Sequence, residues 1–246
     1  MLSRLRRLSH DISASLRFIR DAVAIRRRYG GHVRYVMCNE STNELKRWSF
    51  KTEEQPRLTI VVATYQQELA LDCLLKSLVC QTLQNFKVLV IHDGPSQTTP
   101  SIVSACCRER PGIFEYLETP NRFNDFGHSL RAIGIEKAST EFILLTNGDN
   151  YYSPRFVEFM FEAIDKHGLD IAFCDMIHSY TYGLLRTRPF RNYIDVGCFI
   201  AKTAAAKSVG FRDKSFTGDA TYFEDLLNNF SAPVVGKVAK VLMVHN

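Results

Sequence analysis

The 246-residue sequence contains no run of 18 uninterrupted apolar residues, so no segment of it is expected to cross a membrane as a helix. None of its seven cysteines (Cys38, Cys73, Cys80, Cys106, Cys107, Cys174, Cys198) forms a CxxC pair, which argues against both a zinc site and a disulfide framework. Cys73, Cys80 and Cys174 sit inside apolar patterns, as reduced core thiols of a cytosolic protein would. Repeats and low-complexity tracts are missing. So are GxxxxGK[ST] and a GxGxxG after the first apolar run, which leaves an NTPase or a nicotinamide enzyme without its phosphate loop. Without GxSxG, hydrolase chemistry of the nucleophile-elbow type lacks its serine. Hydrophobic residues at 46% and charged residues at 23% are ordinary globular values and exclude wholesale disorder.

The charge is present but unevenly placed. Residues 1–29 hold eight arginines against two aspartates, a net of +6, and the remaining 217 residues therefore carry −1 of the overall +5. Leu2, Leu5, Leu8, Ile12, Leu16, Ile19 and Val23 recur at steps of three and four, which puts them on one face of a basic amphipathic helix. Three readings of the helix stay open: packing on the domain or on a second copy, lying on an anionic membrane surface, or serving as a targeting peptide. Nucleic acid is not expected as a partner, because the charge is confined to one helix without interleaved aromatics. Residues 30–56 read as a polar connector ending at Pro56.

From Arg57 onward, strand-like and helix-like patterns alternate. "LTIVVA", "FKVLVI", "FEYLE", "FILLT" and "LDIAFC" are short apolar runs, separated by segments with helical spacing. One of these, "SPRFVEFMFEAIDKHG", offers Ser153 as N-cap, Pro154 in the first turn and Gly168 as the stop. The order predicts an α/β fold in one domain over residues 57–246, with a mostly parallel central sheet flanked by helices. Ligands of such sheets bind beyond the carboxyl ends of the strands. Polar clusters follow three of the runs: Thr64-Tyr65, His92-Asp93-Gly94 and Asn147-Gly148-Asp149-Asn150. Two aspartates beside glycines at separate strand ends favour a site over decoration. A nucleotide site without a glycine-rich loop needs a cation for its diphosphate, and a hard oxygen ligand such as Asp149 suits Mg²⁺ or Mn²⁺.

In order and spacing, "LTIVVATYQQE", "VLVIHDGPSQT", "ILLTNGDNYYSP", "VGFRDKSFTGDATYFEDL" and "VLMVHN" resemble the family 2 glycosyltransferases of the GT-A fold. The resemblance covers about residues 57–246. It implies transfer, with inversion, of a sugar from a nucleotide-diphosphate sugar (a UDP-sugar foremost) to an acceptor hydroxyl on a sugar, a lipid-linked sugar or a protein. By that resemblance Thr64 and Tyr65 contact the nucleotide, Asp93 accepts a hydrogen bond from the base, and Arg131, Asn147 and Gly148 belong to the donor site. Asp149 is the metal-binding acid of the DxD-type motif, His245 lies near the metal or diphosphate, and Asp219 is the general base. The pattern departs at Asn147, an amide in place of the first acid, at His92, and at Ala132, where many members carry asparagine.

Asp219 precedes a helical pattern and is alternatively an N-terminal helix residue; Glu224 and Asp225 are the alternative bases. Arg186, Arg188 and Arg191 are expected in a loop, exposed or facing an anionic ligand. Asp175 and His178 are acceptor-side candidates at a strand end. The expected location is cytoplasmic, peripheral on the inner face of a membrane. A catalytically silent nucleotide-sugar binding module is the main alternative. A sugar nucleotidyltransferase ranks below it, since "ATYQQE" lacks a glycine- and arginine-rich loop.

Overall fold

The computed structural model describes residues 2–38, 55–179 and 183–246, with side chains from Ser15 onward. Ten strands and seven α-helices follow one another among the described residues. The strands are β1 (Arg34–Cys38), β2 (Leu58–Thr64), β3 (Phe86–His92), β4 (Phe114–Glu118), β5 (Phe142–Asn147), β6 (Tyr151–Tyr152), β7 (Ile171–His178), β8 (Gly183–Leu185), β9 (Phe199–Lys202) and β10 (Val234–His245). The helices are α1 (Leu2–Tyr29), α2 (Glu68–Val79), α3 (Thr99–Glu109), α4 (His128–Lys137), α5 (Phe156–His167), α6 (Thr203–Val209) and α7 (Gly218–Asn229).

All ten strands belong to one sheet, in the order β1-β10-β7-β9-β5-β2-β3-β4, with β6 and β8 paired to β10 and β7. Its long neighbours pair parallel, and β9 is the antiparallel exception between β5 and β7. The predicted α/β architecture is therefore present. All seven residues of β2 are buried, which is why its sequence is continuously apolar instead of alternating. β1, within the stretch read as connector, adds an edge strand beside β10.

Close packing depends on missing side-chain atoms. A Cβ on Gly134 of α4 would lie 2.2 Å from Cγ1 of Val61 on β2, so α4 sits directly on the sheet. Elsewhere the sequence signals are offset. Ser153 donates its backbone amide to Leu242 and Pro154 accepts from Thr82, so that turn is fixed to the sheet and α5 begins at Phe156. Its stop at Gly168 is as expected, with φ +60°. Cys73 and Cys80, read as core, are exposed, because the buried face of α2 is set by Leu71, Leu74, Leu75 and Leu78.

The first helix holds the larger surprise. The described part of its predicted apolar face points outward: Leu16 is 62%, Ile19 57% and Val23 46% exposed. Asp21, Ile25 and Tyr29 are the residues buried against the domain. Packing on the domain is thereby removed as the occupant of that face over these residues.

The approach at Gly134 generates a prediction. Gly134→Ala gains up to about 1 kcal/mol of helix propensity, but overpacking against a β-branched residue in a central strand costs about 1–3 kcal/mol. Urea denaturation should give a lower midpoint for the variant; an equal or higher one would mean that α4 lifts off β2 freely.

Candidate active site

Successive connections diverge at β2, with β3 and β4 to one side and β5 to the other, so the sheet's switch point lies between β2 and β5. Thr64-Tyr65 and Asn147-Gly148-Asp149 emerge there side by side. A Cβ on Gly148 would stand 2.6 Å from the Thr64 hydroxyl, so glycine is what lets the two strand ends meet. Above them opens a cavity of about 790 Å³ whose walls include Thr64, Tyr65, Asp93, Arg131, Asn147, Asp149, Asp219 and His245. Of the nine predicted site residues only Gly148 is not among its lining, and it underlies the floor. A second cavity of about 320 Å³ shares Tyr65, Asp93 and Arg122 with the first and runs along Gly94–Thr98.

The Asp93 carboxylate organises this end. Its Oδ1 accepts the Phe123 amide at 2.7 Å and its Oδ2 the Asn124 amide at 3.0 Å, holding the 122–124 loop over the strand ends. That loop lays the Arg122 guanidinium 3.7 Å above the Tyr65 ring. Each Asp93 oxygen keeps capacity for a second hydrogen bond. On the floor, Asp149 Oδ2 accepts from Gln67 at 3.0 Å, while Oδ1 is buried without a hydrogen-bond partner among the described residues. Burial raises the Asp149 pKa, against smaller lowering contributions from its own backbone amide, His245, Gln67 and Arg131.

Arg131 joins the floor to the far wall. It is 2% exposed and donates to the Phe126 carbonyl at 3.0 Å, to Nδ1 of His128 at 2.7 Å and to the side-chain oxygen of Asn147. Its Nη1 lies 3.8 Å from Asp219 Oδ1. Since Nδ1 of His128 accepts, its Nε2 carries the hydrogen that reaches the Ser215 carbonyl at 2.8 Å. Burial and the Arg131 charge lower the His128 pKa and keep that ring neutral. Asp219 lies in the first turn of α7. Its Oδ1 is buried and makes no hydrogen bond among the described residues.

Sequence reasoning missed Asp195, which also lines the cavity. Its Oδ1 accepts the Gly197 amide at 2.7 Å and its Oδ2 lies 3.6 Å from Nε2 of His245. The "DVG" turn was its one available signal, and turns of that kind are common. Burial and the neighbouring Asp219 push the Asp195 pKa up to about 6. His245 in turn stacks on His178, with ring centroids 4.8 Å apart. Arg122, Gln67 and His128 also escaped the sequence reading.

Several candidates are committed elsewhere. Asp175 does not line the cavity; it pairs with Lys237 at 2.6 Å and accepts the Thr187 amide. Its neighbour three positions on, His178, does line it. Arg188 pairs with Asp21 at 2.7 Å, Arg191 with Glu224 at 2.9 Å, and Arg186 is exposed, so none of the three lines the cavity. Of the alternative bases, Glu224 pairs with Arg28 and Arg191, and Asp225 with Arg212.

The Asp195 environment predicts a stability effect. An acid whose folded pKa is raised favours folding only while protonated, and that contribution is lost as pH rises from about 4 through about 6. Asp195→Asn keeps the bond from Gly197 and removes the buried charge. In metal-free protein it should raise stability by about 1–3 kcal/mol near neutral pH, with the gain vanishing toward about pH 4. A variant destabilised at both pH values in thermal melts would contradict this.

Comparison with known proteins agrees with this geometry. The sequence profile described as Glycosyl transferase family 2 matches residues 59–225. YwdF of Bacillus subtilis, an uncharacterized glycosyltransferase, is 29% identical over 124 residues, 50% of this chain and 41% of YwdF. The chain thus aligns with less than half of that relative's length. Among solved structures, S. aureus TarS 1-349 in complex with UDP-GlcNAc superposes with a TM-score of 0.67 at 19% identity, covering 77% of this chain and 58% of that one. Mannosyltransferase PcManGT from Pyrobaculum calidifontis, in complex with GDP-Man and Mn²⁺, gives 0.60 at 14% identity, covering 95% and 67%. At these identities the structural likeness speaks for the GT-A fold alone, whereas the profile spans well over half of the sequence. By that match, on a sheet whose switch point carries the motifs, the chain belongs to glycosyl transferase family 2.

Proposed function

We propose that this chain transfers a sugar, with inversion, from a nucleoside-diphosphate sugar to an acceptor hydroxyl, with a UDP-sugar as the foremost donor. One observation carries the reading: Asp149 on the floor and Asp219 on the wall line a single cavity, and each has one buried carboxylate oxygen without a hydrogen-bond partner among the described residues. Two such carboxylates lining one space suit two tasks, holding a cation and accepting a proton.

In this reading the nucleoside lies along Thr64, Tyr65 and Asp93, whose spare lone pairs accept from the base. Asn147, Gly148 and Arg131 border the diphosphate. Asp149 and His245 would hold a divalent ion, Mn²⁺ or Mg²⁺. The carboxylate fits such a hard ion, with the imidazole as its softer second ligand, and the oxygen of Asp149 without a hydrogen-bond partner among the described residues has capacity for it. Among the described residues no group of three or more acidic, histidine or cysteine side chains is arranged around a metal, so diphosphate oxygens would have to complete the shell. Bound there, the ion would stabilise the charge that develops on the leaving diphosphate.

Asp219 takes the proton of the acceptor hydroxyl as that oxygen bonds to the anomeric carbon. The bond from that carbon to the diphosphate breaks, its electron pair leaves with the diphosphate, and attack from the opposite face inverts the centre. Arg131 holds Asp219 from behind without bonding it closely. The domain we assign to this activity is residues 57–246, and the acceptor side is walled by Asn192, Ile194 and Asp195. Asn147, which brings no charge, is the observation that favours the second reading, a binding module without turnover.

Calorimetric titration of UDP, dTDP, GDP, CDP and ADP, with and without Mn²⁺, tests the donor site. One diphosphate should bind tightly only with the metal, and Asp149→Ala should abolish that binding; no binding of any would remove the donor-site reading. Asp219→Asn should leave donor affinity unchanged while lowering kcat about 10²–10⁴-fold. Full donor binding with no turnover in the wild type, even of the donor by water, would favour the binding module.

A further inference from the structure

Helix α1 presents two chemically different faces. Its inner face is fastened to the acceptor side of the cleft. Asp21 accepts from Arg188 at 2.7 Å, the Tyr29 hydroxyl donates to the Pro189 carbonyl at 3.3 Å, and Arg28 pairs with Glu224 of α7 at 2.5 Å. The loop it grips runs on to Asn192, Ile194 and Asp195 in the cavity wall. The helix it grips is the one whose first turn carries Asp219.

Its outer face is apolar and uncovered. With about 100° per residue, Leu16, Ile19 and Val23 form one stripe, exposed by 62%, 57% and 46%. The same three-and-four spacing continues back in the sequence through Ile12, Leu8 and Leu5. At that pitch Arg26 falls on one flank of the stripe and Arg20 and Arg27 on the other, and all three are exposed. An apolar stripe between rows of cations matches the boundary of an anionic bilayer, where alkyl groups enter the acyl edge and guanidinium groups meet the phosphates. A second copy of the helix is the poorer match, since each copy carries +6 over residues 1–29 and the rows would face like charge.

We propose that α1 docks this protein on an anionic lipid surface through Leu16, Ile19 and Val23, with Arg20, Arg26 and Arg27 on the headgroups. Because the docked helix holds the acceptor-side loop and α7, the acceptor is drawn from that surface, as a lipid-linked molecule would be. This second half rests on the transferase reading above; the docking does not.

The test is co-sedimentation of the full chain with phosphatidylcholine vesicles, with and without about one part in three phosphatidylglycerol. Binding should be about tenfold or more stronger to the anionic vesicles and should fall as salt rises. Leu16→Glu, Ile19→Glu and Val23→Glu combined should abolish it, while donor diphosphate affinity by calorimetry stays at the wild-type value. These side chains touch solvent, so circular dichroism should match the wild type. Arg26→Gln and Arg27→Gln, as a milder pair, should each weaken binding about fivefold. Equal binding to both vesicle types, no binding to either, or full binding by the triple variant would each overturn the proposal. So would a wild-type dimer in sedimentation velocity that the triple variant lacks, with no vesicle binding by either. Loss of donor binding in the wild type would overturn the transferase reading and leave the docking result standing.

Discussion

The buried guanidinium of Arg131 is the constraint around which the cleft is arranged. A cation at 2% exposure is costly unless hydrogen-bonded and compensated, and Arg131 meets the first need through its two terminal nitrogens, its Nε having no hydrogen-bond partner among the described residues. The Phe126 carbonyl, the His128 ring and the Asn147 amide oxygen take its hydrogens. None of the three carries negative charge. Compensation therefore comes from carboxylates at slightly longer range, Asp219 foremost at 3.8 Å, with Asp149 and Asp195 both inside its field. The amide at Asn147 thus has a definable effect. An acid there would pair with Arg131 directly and leave Asp219 a weaker share of its field.

That balance sets the electrostatic character of the cavity. Three carboxylates surround one buried arginine, and an anionic diphosphate entering among them meets net repulsion unless a cation accompanies it. Arg122, the other lining arginine, lies over Tyr65 and beside Asp93 at 3.8 Å, at the end of the cleft formed by β2 and β3. The physical case for a divalent ion therefore rests on the charges of the cleft together with the orphaned Asp149 oxygen.

The sequence made the sheet legible because buried parallel strands are continuously apolar and their helices are periodic; β2 and α5 are the clearest instances. It made Asp93, Asp149 and Asp219 legible because each follows or opens such an element. Asp195 lies in a loop whose path is set by tertiary contacts, so no spacing announces it. Asp175 and His178 show the limit of reading a strand end: three residues apart they lie on opposite faces, and only His178 meets the cavity. In α1 the periodicity marked the apolar face, while the docking to the domain was made by Asp21, Ile25 and Tyr29. Two of those anchors carry polar groups with distant partners, which a hydrophobic pattern does not encode.

The unsatisfied oxygens of Asp149 and Asp219 carry the argument furthest. A buried acceptor without a partner costs about 1–3 kcal/mol, and a fold holding two in one cavity, beside an Asp195 whose pKa is pushed up to about 6, is less stable than the same fold with apolar residues there. The close contacts of Gly134 with Val61 and of Gly148 with Thr64 show tight packing immediately beneath, so the frame does not relax to satisfy those atoms itself. In the proposed reaction what relieves these two carboxylates comes from the cavity they line: a cation at Asp149 and a hydroxyl proton at Asp219. The cleft is thus preorganised in the sense that its cost is present before any ligand arrives and is already met by the core.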